Sequence, residues 1–377
     1  MQNNYRKLYN GNKIPAIGFG TYGLFGDECS SAVYCAIKTG YRLIDTAEGY
    51  NNEYSVGGGI KKALADGLCN REEIFITTKF FQGNSAGYDN VLRAFYKSLQ
   101  ELNVDFIDLY LIHWPNFAPK DKWKHLNAEI WKAMEFLYRQ GVVKNLGISN
   151  FCIHHIEELF LTAHVKPVVN QLELSPIWQQ KENVKFCKAN DILLQAWSPL
   201  GCGQLLNMDV ISQLAKKYQK TPSQICLNWS INNGFVPIPK TKYTQRMKQN
   251  FEVFDFSLQS KDYKEIDDLL SNPTTITPDC AYRYTSIQQL QTESSPKNHK
   301  AKFYLFNIFV LWKIKSKNVS ITTHYLFGFI PIFTTKILSN NKSLLYLFNF
   351  IKIASIEAKW DVSIRNRLLP NYDNKRK

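Results

Sequence analysis

The sequence has no run of about 20 apolar residues, the length that a membrane-spanning helix needs. Among its 8 cysteines, no two have the C-x-x-C spacing of a zinc or redox site. They read as scattered reduced thiols, and the expected location is cytoplasmic. Residues 1–7 are polar and offer no apolar core for a secretory leader. His154-His155-x-x-Glu158 lacks a third ligand, so it reads as a polar helix face and no metal is expected. Charge of one sign is also missing from most of the chain. Residues 1–280 hold 30 Lys and Arg against 28 Asp and Glu, whereas residues 281–377 hold 16 against 4. The overall charge of +14 is therefore no argument for nucleic-acid binding by the larger part.

What is present describes a globular chain. Its 377 residues are 45% apolar and 21% charged, enough for one large domain or two ordinary ones. Residues 5–9 and 14–17, joined by Asn10-Gly11-Asn12, predict a hairpin. After it, short apolar runs alternate with amphipathic stretches. The runs are residues 17–19, 42–45, 74–78, 107–113, 145–149, 168–171, 193–197 and 235–238. The amphipathic stretches are 30–39, 56–65, 89–102, 128–140, 153–163, 182–189, 210–218 and 223–232, with 247–251 and 261–270 after the last run. Eight mostly unalternating apolar strands, each followed by helix, predict an α/β fold, a closed parallel (β/α)8 barrel whose N-terminal β-hairpin caps the bottom.

Chemistry is expected where such strands end. Asp45 ends the second strand and Tyr50 follows in the next loop; Lys79 ends the third strand and His113 the fourth. Each has a bland reading alone: a turn aspartate, a packing tyrosine, a solvated lysine, a structural histidine. Together they have the parts for carbonyl reduction. A hydride donor must lie against the substrate, an acid must protonate the new alkoxide, and a third group must orient the carbonyl. Tyrosine is a weak acid, with a pKa of about 10. A neighbouring ammonium is expected to lower that value, and the ammonium needs a carboxylate to stay charged when buried. Tyr50, Lys79 and Asp45 predict such a chain, with His113 orienting the carbonyl.

These residues resemble the aldo-keto reductases over roughly residues 5–270. Asp45-Thr46-Ala47-x-x-Tyr50-x-Asn52-Glu53 is similar to the family's first signature, with Asn51 where glycine is common. Lys79 and His113-Trp114-Pro115 match the lysine and histidine positions. The resemblance implies NADPH-dependent reduction of aldehydes or ketones, with Asp45, Tyr50, Lys79 and His113 as the catalytic group. It implies that Ser149, Asn150 and Gln171 hold the nicotinamide carboxamide, with Gly20, Thr21 and Tyr22 lining that end of the pocket. In Trp197-Ser198-Pro199-Leu200-Gly201 an aromatic ring would stack on the nicotinamide, and the backbone at Ser198 and Leu200 would meet the pyrophosphate. The family usually has tyrosine where Trp197 stands. Lys240, Thr241, Arg246, Gln249 and Asn250 resemble the adenosine-phosphate clamp, in which Lys240 and Arg246 would hold a 2′-phosphate. Gln249 stands where glutamate is common. Tyr22, Tyr50, Phe81, His113 and Trp114 would line the substrate cleft, which points to apolar or aromatic carbonyl compounds. A short loop at 116–126 points to a compact, aldose-reductase-like member, expected to be a monomer with a small-molecule substrate and no nucleic-acid or membrane partner for the barrel.

Two rival functions share the fold. One is a cofactor-binding regulatory module like the potassium-channel β-subunits; the other is a membrane-attached reductase that uses the tail. Gly18-x-Gly20-x-x-Gly23 with Asp45 22 residues further on mimics a dinucleotide fingerprint. No helix periodicity opens at Gly23, however, and that reading leaves Lys79, His113 and Lys240 unexplained. Tyr34-x-x-x-Lys38 reads as a surface pair, and Gly57-Gly58-Gly59 as a softened helix start. Residues 281–377 change texture: apolar bursts separated by Lys, Asn and Ser, no clean period, and one glycine, Gly328. Three readings stay open for this irregular extension: an interfacial or re-entrant membrane segment, an added interaction module, or a stretch that does not fold natively. We read it as read-through or a mis-predicted exon, or at most a lineage-specific extension.

Overall fold

The computed structural model describes residues 5–81, 87–116 and 121–270, and the backbone of six strands between residues 302 and 357. A hairpin comes first. Strand β1 (Tyr5–Lys7) pairs antiparallel with β2 (Lys13–Pro15), and Gly11 turns the chain at a φ of +89°. Glycine adopts that φ without the clash a Cβ would bring. Leu8 and Ile14 leave the hairpin and enter an interior cluster with Leu43, Leu109, Val169 and Val236. Asn10 and Asn12 both donate to Asn145 Oδ1, at 2.8 and 2.9 Å. Apolar burial and these two bonds hold the hairpin against the end of the barrel opposite the site.

Eight parallel strands follow in spatial order: β3 (Phe19–Gly20), β4 (Leu43–Asp45), β5 (Phe75–Phe80), β6 (Leu109–Ile112), β7 (Leu146–Ser149), β8 (Val169–Glu173), β9 (Leu193–Trp197) and β10 (Val236–Pro237). They build the (β/α)8 fold. The first and last strands meet through two bonds, Gly18 N to Pro237 O at 2.9 Å and Gly20 N to Pro239 O at 3.1 Å. The prolines have no N–H to return, so this seam is bonded from one side only. The seam is also narrow. A Cβ on Gly18 would lie 2.8 Å from Ile238 Cγ2, and one on Gly20 would lie 3.0 Å from Ile238 O.

The helices are α1 (Gly26–Thr39), α2 (Glu53–Ala65), α3 (Tyr88–Leu102), α4 (Lys122–Arg139), α5 (Ile153–Phe160), α6 (Lys181–Ala189), α7 (Asp209–Tyr218), α8 (Pro222–Asn232), α9 (Thr244–Phe251) and α10 (Ser260–Asp267). Their apolar faces cover the outside of the sheet. Buried side chains such as Ile76, Phe80, Tyr110 and Ile148 meet Val33, Val56, Phe95 and Trp131 there. Burial on both faces is why the strands read as continuous apolar runs. Several helices start earlier than the periodicity implied: α1 at Gly26 and α2 at Glu53. Two of the three glycines of α2 are a packing device. A Cβ on Gly57 would lie 2.5 Å from Leu102 O, and one on Gly59 would lie 2.5 Å from Ser30 O. They let α1 and α3 close on α2, a gain that offsets the poor helix propensity.

The chain divides into two compact units, Met1–Gln288 and Gln289–Lys377. In the second, six strands run antiparallel in sequential order: Lys302–Leu305, Phe309–Lys315, Val319–Leu326, Ile330–Leu338, Lys342–Leu347 and Ile351–Glu357. They overlap the apolar bursts, which showed no clean strand period in the sequence, and run on into the more polar stretches between and after them. Among the described residues, no helix is long and apolar enough to cross a membrane.

Candidate active site

Strand β4 ends at Asp45, whose side chain turns inward and is 2% exposed. Beside it on β5, Lys79 is fully buried on the same inner face. Its ammonium lies 2.6 Å from Asp45 Oδ1 and donates to Thr46 O at 2.9 Å and to Tyr50 OH at 3.1 Å. Three acceptors use all three donors of the ammonium, as a buried cation requires. Tyr50 reaches this point from a short 3-10 turn, Glu48–Tyr50, which the left-handed Asn51 closes at a φ of 54°. Asn52 is buried and braces the turn. Its Oδ1 accepts from Thr46 Oγ1, and its Nδ2 donates to Thr21 O and Leu24 O. Across the site, the His113 ring stands edge-on to Tyr50 with centroids 5.5 Å apart. Tyr22 and Phe81 complete an aromatic rim, 5.0 Å from Tyr50 and 5.8 Å from His113 respectively.

The electrostatics follow from burial. Burial opposes the Lys79 charge, but Asp45 and Tyr50 outweigh it and hold the amine above its ordinary value. Burial and then the Lys79 ammonium hold His113 well below the ordinary histidine value, so the imidazole is neutral. Tyr50 corrects an expectation. Lys79 does pull its pKa down, but burial is larger and Asp45 adds to it, so the phenol lies above its ordinary value. The hydroxyl is thus fully protonated at neutral pH, and the ammonium beside it favours a phenolate over what burial alone would allow.

A second group sits on the neighbouring strand ends. Gln171 Nε2 donates to Asp45 Oδ2 at 2.7 Å and to Gln195 Oε1 at 3.0 Å. Both amide hydrogens are used, which leaves Gln171 Oε1 as an acceptor. Ser149 Oγ donates to Gln171 O at 2.9 Å. Asn150 follows β7 in the left-handed region, φ 63°, a conformation asparagine tolerates better than most residues. It accepts from Trp197 Nε1 at 2.9 Å and donates to His113 O at 3.0 Å and Ser149 Oγ at 3.1 Å. Asp45, Tyr50, Lys79, His113, Ser149, Asn150, Gln171 and Trp197 are therefore one connected cluster.

A profile of the Aldo/keto reductase family matches residues 16–271. The chain belongs to the aldo/keto reductase family. It is 46% identical over 264 residues to a glyoxal reductase of Bacillus subtilis (strain 168), covering 70% of this chain and 91% of that protein. It is 40% identical over 262 residues to a methylglyoxal reductase of Escherichia coli (strain K12), covering 69% and 91% respectively. The crystal structure of a Bombyx mori aldo-keto reductase in complex with NADP matches at a TM-score of 0.66 and 34% identity, over 75% of this chain and 97% of that one. This aldo/keto reductase is accordingly an oxidoreductase acting on carbonyl groups.

The remaining expected residues lie farther along the same mouth. Ser198 is left-handed, φ 48°, within 3.5 Å of Cys202 Sγ, and Leu200 precedes a kinked 3-10 segment, Gly201–Asn207. After β10, Lys240 is exposed; Thr241 is buried and its Oγ1 accepts from Tyr243 N at 3.2 Å. Arg246 lies 4.9 Å over the Tyr243 ring, Gln249 is half-buried and Asn250 is buried. Lys240 and Arg246 form no ion pair among the described residues, unlike their neighbour Lys242, which pairs with Glu28 at 2.8 Å. Trp114 is half-buried beside His113. The loop expected to be short includes residues 117–120, which lie outside the described residues.

Two residues that support the site's geometry were not foreseen. Gln195 is fully buried and fixes Gln171; its signal is a lone amide on the inner face of Leu193-Leu194-Gln195-Ala196-Trp197. Glu48 lies on the same turn as Tyr50 and accepts from Phe81 N at 3.3 Å, joining the turn to the aromatic rim. The glycine fingerprint opens no phosphate-binding helix: Gly23 is left-handed at φ +74° and α1 starts three residues later.

Proposed function

We propose that this aldo/keto reductase reduces small aldehydes and ketones, α-dicarbonyls such as glyoxal among them, with NADPH, and that Tyr50 supplies the proton. One observation carries the reading: the Tyr50 hydroxyl lies 3.1 Å from an ammonium that is itself paired with a buried carboxylate, with a neutral imidazole facing the same ring. The relatives named for glyoxal and methylglyoxal reduction support the substrate class, and the silkworm enzyme's NADP supports the cofactor.

The residues present fit such a cofactor. Gln171 keeps an acceptor free for an amide N–H, and Ser149 and Asn150 stand beside it. Trp197 offers a flat face. Lys240 and Arg246 have no carboxylate partner among the described residues and flank the N-terminal end of α9, where backbone N–H groups favour an anion. No acidic residue of the clamp stands ready for a free ribose hydroxyl, which favours a 2′-phosphate. When bound, the cofactor supplies a hydride from C4 of its nicotinamide.

The protein's part is then acid–base and electrostatic. His113, neutral, orients the carbonyl by hydrogen bonding. Tyr50 gives its proton to the alkoxide oxygen as charge builds there, and the Lys79 ammonium stabilises the phenolate left behind. Asp45 keeps the ammonium charged in a site that excludes water. Phe81, Trp114 and Tyr22 hold the carbonyl compound against Tyr50. The test is NADPH oxidation with glyoxal and methylglyoxal, followed for the wild type and Tyr50→Phe. Equal rates would remove the acid assigned here, and no turnover by the wild type would remove these substrates.

We propose further that residues 1–280 carry this activity alone and that residues 281–377 are read-through, a mis-predicted exon or a lineage-specific extension. The intact mass of the endogenous protein decides the first two. A mass of 43.7 kDa would count against them.

A further inference from the structure

The indole at position 197 does more than present a face. Trp197 Nε1 donates to Asn150 Oδ1 at 2.9 Å, and the same amide donates to the backbone carbonyl of His113 at 3.0 Å and to Ser149 Oγ at 3.1 Å. One carboxamide therefore ties together the ends of β6, β7 and β9. Its orientation is set from both sides. Rotating it by half a turn would aim its NH2 at the indole N–H and its oxygen at the His113 carbonyl, and both contacts would be lost. His113 depends on this anchor. Its Nδ1 is buried with no hydrogen-bond partner among the described residues, so the ring takes its place from packing, edge-on to Tyr50 and Phe81 among others, and from its own backbone. That backbone is fixed by His113 N donating to Phe80 O and by Asn150 donating to His113 O. Phenylalanine or tyrosine at position 197 would keep a stacking face but would place no donor at this point of the ring.

We propose that Trp197 is a positioning residue: its indole N–H, acting through Asn150, holds His113 where it meets the substrate carbonyl. The inference rests on the cofactor and histidine roles argued above. Two variants separate the layers. Trp197→Phe keeps the aromatic face and removes the donor. NADPH affinity, read by fluorescence titration, should stay within about threefold of wild type. The kcat for glyoxal should fall about tenfold or more, because a small displacement of a positioned group is costly to the chemical step. Trp197→Ala removes the face as well and should weaken NADPH about tenfold or more. A kcat for Trp197→Phe within about twofold of wild type would overturn the inference. Unchanged NADPH affinity in Trp197→Ala would instead overturn the stacking role and leave the indole bond standing. Asn150→Ala breaks the chain at its centre without touching the indole, and serves if Trp197→Phe does not fold. If the chain is real, adding Trp197→Phe to Asn150→Ala should cost kcat nothing further; additive losses would refute it.

Discussion

The catalytic cluster and the basic clamp after β10 stand at the same mouth and are built on opposite principles. Lys79 is wholly buried and all its donors are used inside the protein. Lys240 and Arg246 are exposed and have no carboxylate partner among the described residues. The first arrangement is complete before any ligand arrives. Its charges have already lost their water, and nothing needs to reorganise when charge develops on a substrate. The second is left unpaired, so an anion's binding energy is not spent breaking an internal salt bridge. The contrast teaches where each kind of damage should appear: in chemistry and stability for the buried cluster, in cofactor affinity alone for the clamp.

The sharpest way to break that contrast is at Tyr50. Tyr50→Phe should lower kcat/KM by about 10²- to 10⁴-fold, the usual worth of a general acid, while the melting temperature hardly moves. A steady-state assay beside a thermal melt reads both, and a variant retaining half its activity would place the acid elsewhere. Lys79→Met should hit stability as hard as activity. It leaves Asp45 buried without its partner, a loss of about 3–5 kcal/mol that chemical denaturation would report. An unchanged unfolding midpoint would mean that the ion pair is less isolated from water than it looks.

At the clamp, Lys240→Ala or Arg246→Ala should each weaken NADPH about 10- to 100-fold, the worth of one charge-assisted bond. NADH binding and the melting temperature should both stay near wild type. Equal weakening of the two cofactors would show that neither residue reads the 2′-phosphate. An effect of similar size, on stability and pH dependence rather than cofactor affinity, is expected at Glu53 in the first turn of α2. Its carboxylate accepts from Thr78 Oγ1 at 2.6 Å and Ser98 Oγ at 2.9 Å, yet burial, with Glu101 and Glu48 adding to it, pushes its pKa from 4.5 to about 7. A carboxyl raised on folding binds its proton more tightly in the folded state. Its contribution favours the fold below about pH 4.5 and is lost as pH rises through about 7. Glu53→Gln should therefore stabilise the protein at pH 8 by up to about 2–3 kcal/mol and flatten the fall in melting temperature between pH 5 and 8. A steeper fall in the variant would reverse the sign argued here.

Much of this was legible along the chain. Strand runs ending in Asp45, Lys79 and His113 announced both the barrel and the mouth where side chains meet, because period and strand length are local properties. The helices were found with late starts, since Gly26 and Glu53 carry no apolar signal of their own. The packing role of Gly57 and Gly59 was not legible, because it is set by the approach of Leu102 O and Ser30 O from other helices. Gln195 went unnoticed because one amide in an apolar run has no meaning until its neighbour across the ladder is known.

By itself the sequence determined which chemical groups stand at which strand ends, and hence the family of reactions open to them. The fold alone decided what those groups are worth. Asp45 meets Gln171 across 126 residues of chain, and Tyr50 lies above its ordinary pKa because burial there outweighs a cation that the sequence could count but could not place. Solvation and hydrogen-bond geometry depend on distances between remote segments, and those exist only once the barrel has closed.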